Sequence, residues 1–293
     1  MRTCPTEAGP EVINMTGMTS QAAGLKTSID SSLSQLAAAV DQEAASDELR
    51  RFLDLQARFH RYSWGNCLLI AMAKPDATFV AGFSQWKRLG RRVKRGEHAI
   101  RIMAPCPIRF ENPKTGEEEN RLFFKTACVF DVSQTEGTSL PDFQVPDVEA
   151  NGDMLLRALA GVASRRGIEV EYGALDNGHY GVSMGGRVKI ATGYPTGQQA
   201  KTLAHELAHE SLHRSADGVV DRAITREARE LEAESVAYVV CRHFGLDVQL
   251  RASRYIALWG GDAKKLAASF GRISGAARVL IEDINARMDS SRT

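Results

Sequence analysis

The sequence predicts an α+β chain of two domains. Three observations carry this reading. Helical periodicity in the first half gives way to a pair of strand-like runs. Residues 133–150 then collect Ser, Thr, Gly, two prolines and several acids, the composition of a linker. The second half alternates short strands with long helices. The length, 293 residues, accommodates two such domains, and 43% hydrophobic residues suffice to bury a core in each. The boundaries read as a mobile tail over 1–25, a first domain over 26–137, a linker over 138–150 and a second domain over 151–293.

Each element has a local cause. From about Leu25 to Ala73, Leu33, Leu36, Ala37 and Val40, then Leu49, Phe52, Leu53 and Leu55, recur at helical spacing until Pro75 stops the run. Ser84 to Gly90 reads as a short helix, with Ser84 as N-cap and Gly90 as its stop. Strand-like runs at 99–110 and 121–132 flank Asn112-Pro113-Lys114-Thr115-Gly116, which is turn chemistry. Beyond the linker come a helix at about 153–165, a strand at 168–172 and a hairpin across 179–191 turning at Gly185-Gly186. Three helices follow: Thr196, read as the cap, to about His213; about Asp221 to Phe244, ended by Gly245; and about Asp262 to Met288.

Composition excludes several classes. Lys plus Arg number 37 and Asp plus Glu 36, so a disordered polyelectrolyte is ruled out. No run of about 18 apolar residues offers a membrane span, so no membrane partner is expected. The N-terminus lacks the basic start and apolar run of a signal peptide. The five cysteines (Cys4, Cys67, Cys106, Cys128, Cys241) are scattered and form no CxxC pair. Neither a disulfide framework nor a cysteine-ligated metal is expected, and a reducing cytoplasm fits best.

His205-Glu206-Leu207-Ala208-His209 is an HExxH motif inside a helical pattern. Residues four apart share a helix face, so two imidazoles at this spacing can hold one Zn2+. Glu206, beside the first ligand, can reach a zinc-bound water and take its proton, which is the mechanics of a metallopeptidase. The bland alternative is a chance match on a solvated helix. A catalytic zinc needs a third ligand. The metzincin pattern would require histidine at 215 and glycine at 212, where Ser215 and Leu212 stand. His213 lies one turn too far and reads as solvated or as a neighbour of a ligand. The remaining candidates are Glu227, Glu230, Glu232 and Glu234 on the next helix. Glu230 and Glu234 share a face and Glu232 points roughly the other way. Ala233 and Ala237 permit close approach, which favours Glu230 as ligand and Glu234 as acceptor for a ligand histidine's other N–H.

These two stretches, Thr202 to His209 and Glu230-Leu231-Glu232-Ala233-Glu234-Ser235-Val236-Ala237, resemble the zincin domain of ImmA/IrrE-type metallopeptidases across about residues 150–250. The resemblance implies a C-terminal zincin-like metallopeptidase domain with Glu230 as the ligand. Glu234 stands where many members have Asn or Asp.

The first half is electrically lopsided. Residues 85–109 hold eight bases (Lys87, Arg88, Arg91, Arg92, Lys94, Arg95, Arg101, Arg109) against one acid, Glu97. Phe59, Tyr62, Trp64, Phe79, Phe83 and Trp86 lie nearby. Cations interleaved with aromatics suit a single strand, whose bases stack and whose phosphates pair. The alternative is a basic solvated turn beside core aromatics. Tyr62-Ser63-Trp64-Gly65-Asn66, Phe83-Ser84-Gln85-Trp86, Val93-Lys94-Arg95-Gly96-Glu97 and Val129-Phe130-Asp131-Val132-Ser133-Gln134-Thr135 resemble the N-terminal domain of ArdC-type antirestriction proteins over about 30–137. The resemblance implies an N-terminal helical and β-hairpin domain that binds single-stranded DNA, with Asn66, Trp86 and Lys94 among its contacts, joined to a metallopeptidase-like domain. The expected function is antirestriction protection of mobile DNA. The rival is a regulatory zinc metalloprotease that cleaves a repressor or a DNA-bound protein, tethered by its N-terminal domain. Either would take a peptide or protein substrate, and an extended peptide could pair along the strand Arg187–Ala191.

Overall fold

A computed structural model describes residues 18–38, 42–111, 118–139, 152–175, 178–214, 219–221, 223–250 and 262–290. They fall into two compact units: Met1–Ser32 with Gly65–Pro141, and Leu33–Trp64 with Asp142–Thr293. Residues 1–17 of the tail expected over 1–25, the turn at 112–117 and most of the linker lie outside the described residues. Among the described residues no helix is long and apolar enough to cross a membrane.

The helical run of the first half is three helices, α1 (Ser20–Ala37), α2 (Gln42–Arg58) and α3 (Trp64–Ala73). Helix α1 begins inside the stretch read as a tail, because Ala22, Ile29 and Leu33 form one buried stripe. The first unit is built on a three-stranded antiparallel sheet in the order β1-β4-β3, from β1 (Val80–Gly82), β3 (Ile100–Glu111) and β4 (Glu118–Asp131). Strands β3 and β4 are the expected hairpin. A two-stranded ribbon pairs β2 (Arg91–Val93) with β5 (Thr135–Gly137). Helix α4 (Phe83–Arg88) buries Trp86 against Ala81 and Phe130. Its preceding Gly82 caps it without a side chain, so Ser84 is not the cap. Gly90 takes φ +72°, the left-handed turn that ends the helix.

Helix α2 precedes this sheet in sequence but belongs to the second unit. There Phe52 stacks on Phe270 at 4.5 Å. Asp54 accepts from Tyr238 Oη at 2.9 Å and Arg242 Nε at 3.1 Å. The rest of that unit comprises α5 (Gly152–Arg165), α6 (Thr196–Leu212), α7 (Arg226–His243) and α8 (Ala263–Ser290), with a sheet of β6 (Glu169–Gly173), β7 (Gly181–Ser183) and β8 (Arg187–Ala191). Pro195, rather than Thr196, caps α6; Thr225 caps α7 through Ala228 N–H. Helices α6 and α7 pack together along a seam of small side chains. Ala200, Ala204, Ala208, Ala233 and Ala237 are all buried, which lets backbones approach and brings polar groups on the same helices into contact.

The sheet order is β6-β8-β7, with β6 parallel and β7 antiparallel to β8. Strand β8, Arg187–Ala191, is therefore central. The expectation that it offers an edge to a peptide is corrected: both its sides are paired, and β6 and β7 are the edges.

Candidate metal centre and basic surface

Helix geometry sets the core of the site. His205 and His209 stand one turn apart on α6, and their Nε2 atoms are 3.1 Å apart. Glu230, at the fifth position of α7, places Oε2 3.4 Å from His205 Nε2 and 3.6 Å from His209 Nε2. Three ligands about 2.0–2.1 Å from a tetrahedral zinc stand about 3.3–3.4 Å from one another. The three donor atoms already have that spacing, and they form a group able to hold a metal ion.

The electrostatics agree. Burial works against a charge on His205, but its hydrogen bonds to the Glu230 and Glu234 carboxylates outweigh it and lift the imidazole to about 9. The two imidazoles hold the Glu230 carboxyl well below the usual range.

Glu206 faces the same cleft from α6 and is buried. Burial, the largest influence, raises its carboxyl above the usual value, against the pull of His205 and His209. Ser183 N–H donates to it from the edge strand. That strand crosses closely because residue 181 is glycine: a Cβ there would fall 2.5 Å from Thr202 Cγ2 and 3.0 Å from Glu206 Oε1. The strand is pinned by Glu210, which accepts from Ser183 Oγ at 2.5 Å and from the N–H groups of Gly185 and Gly186 at 2.9 and 2.8 Å. Tyr180 C=O and Met184 N–H turn towards β8, so alternation turns Gly181 and Ser183 outward. Ser183 is spent on Glu206 and, through its carbonyl, on Arg214.

Glu234 Oε2 lies 3.7 Å from His205 Nδ1, and Glu234 Oε1 accepts from Lys201 Nζ at 2.6 Å. His213 is not solvated. It is 1% exposed, with Nδ1 3.0 Å from His209 Nδ1 and Nε2 3.1 Å from Glu232 Oε2. Among the tyrosines and histidines downstream, Tyr238 and His243 are engaged elsewhere, with Asp54 and Ala57 C=O. Tyr255 lies outside the described residues. His179, Tyr180 and Arg226, which no sequence pattern singled out, line the cleft of ≈ 540 Å³.

The basic residues of the first unit divide by what they touch. Trp86 is fully buried and donates Nε1–H to Phe130 C=O at 2.9 Å. The expectation that it contacts DNA is corrected: its ring offers no face to a base. Asn66 is a structural clamp too, exchanging hydrogen bonds with Met103 N–H and C=O at 2.9 and 2.8 Å. Arg91 is tied into the ribbon by Thr135 and Thr138, Arg92 pairs with Glu136 at 2.8 Å, and Lys94 Nζ donates to Ser133 C=O at 2.8 Å. Lys87, Arg88 and Arg95 are exposed, and their side chains make no hydrogen bond or ion pair among the described residues. The exposed aromatic is Phe83, at 60%, one helical turn from Lys87. The motif Val129 to Thr135 is architecture: Asp131 accepts from Thr78, Phe79 and Ser133 N–H, and Gln134 reciprocates in a capping box.

An α+β chain with a basic, ribbon-bearing first unit and a two-histidine, one-glutamate cluster in its second defines a class. Residues 21–130 match the family model for the N-terminal domain of anti-restriction factor ArdC. The fold is similar to the metal-free crystal structure of the antirestriction ArdC protein from plasmid R388, with TM-score 0.56 and 22% identity, covering 78% of this chain and 86% of that one. The Mn(II)-bound structure of the same protein gives TM-score 0.50 and 21% identity, covering 75% and 81%. An uncharacterized protein of Bacillus anthracis is 26% identical over 286 residues, covering 83% of this chain and 48% of its own length. The chain thus spans about half the length of that curated relative. The N-terminal part of the chain thus matches the ArdC N-terminal domain, and its fold is similar to that of the R388 protein.

Proposed function

We propose that this chain is an antirestriction protein with a single-stranded DNA-binding first unit and a zincin-like, metal-dependent hydrolytic site in its second. The observation that carries the reading is the convergence of His205 Nε2, His209 Nε2 and Glu230 Oε2 within 3.1–3.6 Å, with Glu206 beside them. The name of the family model and the titles of the similar structures, one of them with Mn(II), support antirestriction and a divalent ion. The histidine-rich donor set suits zinc, although manganese fits the same three ligands.

A bound zinc ion would polarise a peptide carbonyl and lower the pKa of a coordinated water to about 7. His205, His209 and Glu230 would hold the ion at the cleft. Glu206 takes the proton from the attacking water on its carboxylate and returns it to the leaving amine. The Ser183 N–H orients that carboxylate, and burial keeps it basic enough to accept. Gly181 leaves its outward N–H and C=O available to one residue of an extended peptide.

In the first unit, Lys87, Arg88 and Arg95 supply cations to phosphates, and Phe83 supplies the stacking face. Anisotropy of labelled single-stranded and duplex DNA at two salt concentrations tests this half. A salt-sensitive preference for single strands supports it; equal binding of both forms reduces the surface to a general polyanion patch. Plasmid transfer into a restricting host, with wild type and Glu206→Gln, tests how the halves combine. Protection that survives Glu206→Gln separates antirestriction from hydrolysis.

The cleft against edge strand β7 favours a second reading, a regulatory metalloprotease with the first unit as tether. A cellular protein cut by wild type and spared by Glu206→Gln, without effect on restriction, selects it.

A further inference from the structure

The ligand histidines are supported unequally. His205 Nδ1 faces Glu234 Oε2 at 3.7 Å, a carboxylate that Lys201 also engages. Behind His209 runs a buried chain. His209 Nδ1 lies 3.0 Å from His213 Nδ1, and His213 Nε2 lies 3.1 Å from Glu232 Oε2. Glu232 Oε1 accepts from Ser269 Oγ at 2.5 Å, and its carboxylate accepts from Arg272 Nε at 3.0 and 3.1 Å and from Arg272 Nη2. His213, Glu232 and Ser269 are at most 1% exposed. Ser269 and Arg272 sit on α8, which contributes no ligand.

Proton counting leaves one arrangement compatible with metal binding. A neutral imidazole carries one N–H. If His209 Nε2 gives its lone pair to an ion, its proton is on Nδ1 and is donated to His213 Nδ1. That nitrogen must then be bare, so the His213 proton is on Nε2 and is donated to Glu232. The reverse orientation would need His213 Nε2 bare against a carboxylate, two acceptors facing each other in a buried space, and would aim an N–H from His209 at the ion. The anionic Glu232, fixed by Arg272 and Ser269, selects the first arrangement.

We propose that His213 is a positioning residue for His209, and that Glu232, Ser269 and Arg272 hold it in the tautomer that presents His209 Nε2 to a divalent ion. The inference rests on the reading of His205, His209 and Glu230 as a metal site. It makes α8 part of the metal centre. The rival is a polar staple between α6, α7 and α8 with no bearing on the metal.

Two substitutions separate them. In Asn, Oδ1 occupies about the place of the His Nδ1; in Gln, the amide reaches about the place of Nε2. His213→Asn keeps an acceptor for His209, whereas His213→Gln keeps the hydrogen bond to Glu232 and removes that acceptor. Zinc affinity is measured by chelator competition on the full chain, with the cobalt(II) visible spectrum as a second readout and far-UV circular dichroism as the check of folding. Wild type should bind one ion. His213→Gln should bind about 10–100-fold more weakly, with an altered cobalt spectrum, and His213→Asn should recover most of the affinity. Equal affinities in the two variants, or wild-type affinity in His213→Gln, overturn the proposal even though wild type binds metal and His205→Ala does not. A wild type that takes up no ion removes the metal reading, and this inference with it. Should His213→Gln not fold, Ser269→Ala replaces it. Loss of that one hydrogen bond to Glu232 should weaken zinc binding measurably, and unchanged affinity contradicts the account.

Discussion

The metal cluster and the basic surface differ in how their charged groups are held. Around the part-buried His205 and His209, the neighbouring Glu206, His213 and Glu232 are buried, and carboxylates and imidazoles face one another at 3.1–3.7 Å. On the first unit, Lys87, Arg88 and Arg95 are exposed and untied, while Arg91, Arg92 and Lys94 are spent on the β2–β5 ribbon. Chemistry at a metal requires groups held in place before the reaction, because misplacement is costly there. Binding a flexible polyanion requires cations that can follow it, and its energy comes largely from released counterions. A residue's position on this scale therefore indicates which kind of loss its mutation should cause.

The sharpest break is expected at Glu206. Glu206→Gln should lower cleavage of fluorescein-labelled casein by about 10²–10⁴-fold with metal uptake unchanged, as the loss of a general base does. Equal cleavage by both proteins would dismantle the proposed mechanism. Next in size is the contrast between two aromatics on one short helix. Trp86→Ala should cost about 3–5 kcal/mol of stability by emptying a core site, seen in chemical denaturation. Phe83→Ala should leave stability within about 0.5 kcal/mol but weaken single-strand binding by about 1–3 kcal/mol. Reversal of the two results would mean that Trp86, and not Phe83, meets the bases.

The cations sharpen the comparison further. Replacing Lys87, Arg88 and Arg95 by Ala should reduce the salt slope of single-strand binding by about 0.7 for each phosphate that is no longer neutralised. An unchanged slope would exclude them from the interface. The smallest effect concerns a buried histidine of the second unit away from the ligands. Burial, then the neighbouring His243, lowers His60 from 6.5 to about 4. Both its ring nitrogens are buried and have no hydrogen-bond partner among the described residues. The unfolded chain thus binds this proton more readily than the fold, and the contribution of His60 to stability falls as pH drops from about 6.5 towards 4. In His60→Phe, that part of the decline in melting temperature should disappear. The same acid sensitivity in the variant would place its origin elsewhere.

The grouping of the candidate metal ligands was legible because helix periodicity converts sequence spacing directly into geometry. His205 and His209 are four apart, and Glu230 sits on the face that small alanines bring close. The support behind His209 was not legible. His213 meets Glu232 across 19 positions and Glu232 meets Arg272 across 40, and no local pattern encodes such pairings. Long strands β3 and β4 showed as strand-like runs on either side of a turn, whereas the three-residue strands β1, β2 and β5 are too short to register as runs. Composition found the basic region but could not say which aromatic faces out. A tryptophan beside arginines reads as a platform until its burial against Phe130 is seen. The role of Arg187–Ala191 as an edge failed for a topological reason: sequence order places β8 last, and pairing places it in the middle.

The central claim is that one divalent ion is held by His205, His209 and Glu230. Its most direct test is metal stoichiometry by mass spectrometry after dialysis of wild type and Glu230→Ala against limiting zinc. One zinc per wild-type chain, with a large loss in Glu230→Ala at unchanged circular dichroism, is the predicted result. No uptake by wild type, or equal uptake by both, would contradict it.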